Sequence, residues 1–70
     1  MKINIKKVLN SETLQWMLEA EESAHEEICI TGFNIDGLAI DFMITARPDE
    51  LRDLAEFINQ TVKEFTKNAD

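Results

Sequence analysis

Apolar residues recur at every second position along four stretches of this chain, and at every third or fourth along a fifth. Ile28 to Ala46 is the clearest case: ICITGFNI and LAIDFMITA flank Asp36-Gly37. Asp-Gly between alternating runs predicts a hairpin closed by a type I′ turn, whose two central residues both need φ > 0. Upstream, Met1, Ile3, Ile5 and Leu9 share a parity, with Lys7 as the exception, and the turn formers Asn10 to Thr13 follow. Leu14 to Glu22 has the composition of a helix. A helical wheel, however, sets Glu21 inside its apolar side and Trp16 opposite, whereas alternation groups Leu14, Trp16, Leu18 and Ala20.

Register favours the strand. Four-residue loops at 10–13 and 23–26 pair Leu9 with Leu14, Ile5 with Leu18, Leu14 with Ile35 and Trp16 with Phe33. The Asp-Gly turn then pairs Phe33 with Ile40, Thr31 with Phe42 and Cys29 with Ile44. One parity set reaches one face in all three hairpins, and a slip by one residue anywhere would invert a strand. The same pairing sets Lys2 opposite Glu21 and Lys6 diagonal to Glu19, which is mildly favourable.

Beyond Arg47 the period changes. Pro48 suits a first helical position, and Asp49 and Glu50 suit the helix dipole. Leu51, Leu54, Ala55, Ile58, Val62 and Phe65 form a stripe on a helix roughly 30 Å long. The expectation is an α+β domain spanning 1–70. It is a four-stranded antiparallel β-meander (about 1–9, 14–22, 27–35 and 38–46) with one C-terminal helix (48–67) packed on one face. The core would lie between the helix stripe and Ile3, Ile5, Trp16, Leu18, Phe33 and Phe42 with their same-parity neighbours. The alternative is β-α-β-β-α with residues 11–26 helical.

Composition narrows the function. With 44% apolar and 30% charged residues the chain reads as globular, and its 70 residues lie near the lower limit for a single core. No run is long enough to span a bilayer, and the N-terminus lacks the apolar stretch of a signal peptide. A single cysteine, Cys29, allows no internal disulfide, so a cytoplasmic location is expected. The net charge is −7, and no Lys or Arg occurs from Val8 to Ala46. Direct binding to nucleic acid or to an anionic membrane is therefore not expected, and a protein with a basic surface is the partner this charge favours.

No catalytic constellation emerges, so no enzyme activity, cofactor or metal is expected. Glu22 and His25 form a single E-x-x-H beside Glu26 and Glu27, which reads as a solvated turn, because a metal site of that spacing needs a second motif on facing helices. Cys29 reads as a small buried hydrophobe. Gly32, in mid-strand, suggests a bulge or a close backbone approach. The face left open by the helix would carry Met17, Ile28, Ile30 and Met43 with an acidic margin of Glu19, Glu21, Glu22 and Asp41. These eight are the candidate partner-binding residues.

The resulting functional expectation is a small acidic non-enzymatic protein–protein interaction module, a regulator or inhibitor acting through its open sheet face and acidic rim. A phage or mobile-element protein that mimics DNA is one form of it, and a homodimer through the open face is another expected partnership. The alternative is a small metal- or ligand-binding domain using the Glu21–Glu27 cluster with His25.

Overall fold

The computed structural model describes residues 3–67. Four strands, β1 (Asn4–Asn10), β2 (Gln15–Glu22), β3 (Ile28–Asn34) and β4 (Ile40–Ala46), form an antiparallel sheet in the order β1-β2-β3-β4. One helix, α1 (Pro48–Lys67), follows. The expected meander and helix are therefore present, and residues 11–26 are not helical. The placement of Lys2 opposite Glu21 lies outside the described residues.

The loops differ from the expected ones, and their lengths decide the faces. Between β1 and β2 the ladder runs on to Ser11 and Leu14, whose backbones bond at 2.9 Å, leaving a two-residue connection at 12–13. Ile5 faces Ala20 rather than Leu18, a shift of two that preserves every face, and Lys6 lies directly opposite Glu19 with an ion pair at 3.5 Å. Between β2 and β3, Ser23 N–H donates to the Glu27 carbonyl at 2.8 Å, and Glu26 takes φ 58°. This is a three-residue loop ending in a left-handed residue, where four residues were expected. Odd replaces even, so β3 is inverted: Leu18 faces Gly32 and Ala20 faces Ile30.

The third hairpin is not closed by a type I′ turn. Gly37 does not have positive φ; Leu38 does, at 57°. Asn34 Oδ1 accepts from the backbone N–H groups of Asp36 (2.9 Å) and Gly37 (3.2 Å), and Leu38 N–H donates to the Asn34 carbonyl at 2.8 Å. Side-chain capping by Asn34 thus turns the chain over four residues, 35–38. Phe33 faces Ile40 as expected, but a bulge then adds Asp41 to β4, and Gly32 faces Phe42. A bulge adjoins Gly32, as one of its two readings had it; the close approach is by a side chain rather than by backbone, the Phe42 ring lying so close over Gly32 that a Cβ would overlap it.

One face therefore carries Ile5, Leu9, Trp16, Leu18, Ala20, Ile28, Ile30, Phe42 and Ile44. The other carries Val8, Met17, Cys29, Thr31, Phe33, Ile40 and Met43. Cys29, Phe33 and Ile40 do not share a face with Trp16, and Ile28 and Ile30 do. Trp16, half-buried, reaches across β3 above Gly32. Its ring meets Phe42 edge-on at 4.9 Å, and its Nε1–H donates to Asp41 Oδ2 at 2.8 Å.

The expected two-layer packing is not formed within the chain. No packing interface joins α1 to any strand, and every helix residue but Leu51 and Thr61 is exposed, Phe65 at 73% and Ile58 at 52%. Among the described residues no hydrophobic side chain is fully buried; Thr31, at 7% exposure, and Gly32 are the buried residues. The radius of gyration is 14.2 Å, against about 11 Å for a compact chain of this length. The connection explains this. Arg47 alone joins β4 to α1, shorter than the usual β–α link of about 2–6 residues, and the Pro48 ring fixes the next φ. The helix leaves the sheet instead of turning back across it.

Candidate interaction surface

A groove of about 530 Å³ opens on the Trp16 face, at the end of the sheet where α1 departs. Ile3, Ile5, Ala20, Ile28 and Ile30 make its apolar floor, Pro48 and Leu51 one wall, and Glu21, Glu22, Glu26 and Glu27 its acidic lip. The inverted β3 creates this floor, because it turns Ile28 and Ile30 toward Ala20 and Ile5. Ser23 also lines it, with a buried hydroxyl that has no hydrogen-bond partner.

The second apolar surface is the α1 stripe. The helix begins firmly: Glu50 Oε1 accepts from Arg47 N–H at 3.0 Å, and Leu51 N–H donates to the Arg47 carbonyl at 3.0 Å. This is the reach-back half of a capping box, with Arg47 at the cap and Pro48 at the first helical position. The Arg47 guanidinium also binds Asp49 Oδ1 at 3.4 Å. Desolvation pushes the Asp49 carboxyl upward, but Arg47 and the first helical N–H groups outweigh it and hold the pKa below its ordinary value. From this fixed start Leu54, Ile58, Val62 and Phe65 are presented to solvent, with Phe57 beside them.

The eight candidate binding residues do not form one surface. Glu22, Ile28 and Ile30 lie on the groove face, and Met17, Glu19 and Met43 on the opposite face. Glu21 belongs to that opposite face by register but edges the groove lip. Asp41 sits in the bulge, engaged by Trp16. His25 is exposed in the 24–26 loop, and among the described residues no three His, Cys, Asp or Glu side chains converge as metal ligands. Among those residues no helix is long and apolar enough to cross a membrane.

Missing from the expected surface were the helix residues, assigned to the core. Two signals for them were in the sequence: the one-residue junction at Arg47, and Phe57, which widens the apolar side beyond a stripe that covers only its own sheet. The chain matches no family model, no curated protein and no solved structure.

Proposed function

We propose that the protein is a non-enzymatic protein–protein interaction module, a small cytoplasmic regulator or inhibitor. The observation that carries this reading is the absence of any fully buried hydrophobic side chain among the described residues, beside a 20-residue helix with an exposed apolar stripe. Apolar surface of this extent marks an association site. The acidic lip of Glu22, Glu26 and Glu27 supports a partner with a basic surface, drawn in by long-range attraction. DNA mimicry is the form of this in which the carboxylates stand in for phosphates.

The test is affinity capture by the tagged full-length protein from extracts of its source cells, at low and high salt. A basic protein should be retained at low salt and lost at high salt. The triple charge reversal Glu22→Lys, Glu26→Lys, Glu27→Lys should abolish retention without changing the far-UV circular dichroism. Retention of the same protein by the triple variant would sink the role of the acidic lip.

A further inference from the structure

Building on the interaction-module reading, we propose that the occupant of both apolar surfaces is a second copy of this chain, each copy laying α1 across the Trp16 face of the other. Each chain presents one helix stripe and, at the groove, the apolar Trp16 face, so a two-fold exchange pairs these two surfaces and closes. The lengths fit. A helix of 20 residues extends about 30 Å. Strands of seven and eight residues run about 23–27 Å, a span that a helix crosses on a slight diagonal.

The areas fit as well. The chain exposes 5964 Å², whereas a compact chain of 8.0 kDa exposes about 4,500 Å². The excess of about 1,500 Å² per chain, removed from both partners, amounts to about 3,000 Å², within the range of obligate homodimers. The single-residue junction at Arg47 supplies the strain-prone short hinge from which exchanged elements arise.

The test combines sedimentation equilibrium of the full chain at micromolar concentration with isotope-filtered nuclear Overhauser spectra on a refolded one-to-one mixture of labelled and unlabelled chains. The expected result is twice the chain mass, with intermolecular contacts from Phe65, Ile58 or Leu54 to Trp16 or Phe42. Inserting six Gly/Ser residues between Arg47 and Pro48 should let the helix fold back and convert the dimer to a monomer with the same sheet. A dimer whose only intermolecular contacts join helix to helix overturns the proposal. So does a persistent dimer in the hinge-lengthened variant. A chain-mass particle also overturns it, and amide exchange then separates the two readings. Unprotected helix amides would leave the module reading intact for a different partner. Protected amides with intramolecular helix–sheet contacts would remove both readings.

Discussion

The sheet and the helix hold their structure by different means. In the sheet, backbone pairing is joined by side-chain contact between strands distant in sequence: Trp16 on β2 meets Phe42 and Asp41 on β4 above Gly32 on β3. In α1 every side-chain bond is local. Gln60 donates to Glu64 at 3.0 Å, Thr61 to the Phe57 carbonyl at 2.8 Å, and Glu50 closes the N-terminus. Local terms contribute a few tenths of a kcal/mol for a side-chain pair and more for a cap, and most helix stability in proteins comes from burying an apolar face. The sheet thus carries its own organising cluster, while the helix is locally complete and tertiarily unfinished. The largest expected effects of mutation within one chain therefore lie in the sheet.

Gly32→Ala should strike hardest. A Cβ there would overlap the Phe42 ring, with Cδ1 at 2.6 Å, and Trp16 packs edge-on against that same ring at 4.9 Å. Forced repacking of this kind costs about 1–3 kcal/mol, read as a lower urea midpoint followed by Trp16 fluorescence. An unchanged midpoint would mean that the ring moves aside freely and that no cluster organises the sheet. Asp41→Ala comes next. It removes the acceptor for Trp16 Nε1–H, a charge-assisted bond at a partly solvated site, for about 1 kcal/mol. Asp41→Asn, which keeps an acceptor oxygen, should recover most of the loss; if it recovers none, the bulge geometry rather than the bond is what Asp41 supplies.

The contrast also separates what the sequence disclosed from what it concealed. Element identity followed from periodicity, and α1 from Pro48 to Lys67 coincides with the expected 48–67 because Pro, the acidic first turn and the stripe all mark the same bounds. Faces were harder, since side-chain parity depends on whether a loop is odd or even. At 12–13 the change from four residues to two was harmless. At 24–26 the change to three inverted β3, and the left-handed residue that closes the loop is Glu26, not the Gly or Asn that would have announced it. Likewise Leu38 takes the left-handed position beside Gly37, where Asp36-Gly37 signalled a different turn. The groove floor of Ile28 and Ile30 was recognised as apolar surface but assigned to the wrong face. The helix was taken as covered because apolar periodicity marks a stripe and is silent on whether the sheet of its own chain covers it.

The smallest expected effect tests the local side of the comparison. Glu50→Ala removes the acceptor for Arg47 N–H, and capping interactions of this kind are worth about 0.5–1 kcal/mol. Acid should act at the same turn. Asp49 has a folded-state pKa below its ordinary value, so the stabilisation it lends is present above the ordinary value and is lost as pH falls through the depressed one. The first turn should therefore fray below about pH 4, seen as faster exchange of the amides of Leu51 to Leu54 while the β2 and β3 amides keep their protection. Titrating Arg47→Gln, which lacks the guanidinium, should weaken this acid response. If β3 amides lose protection together with those of the first helical turn, the helix start is not an independent local unit, and the division between a self-organised sheet and a locally held helix fails.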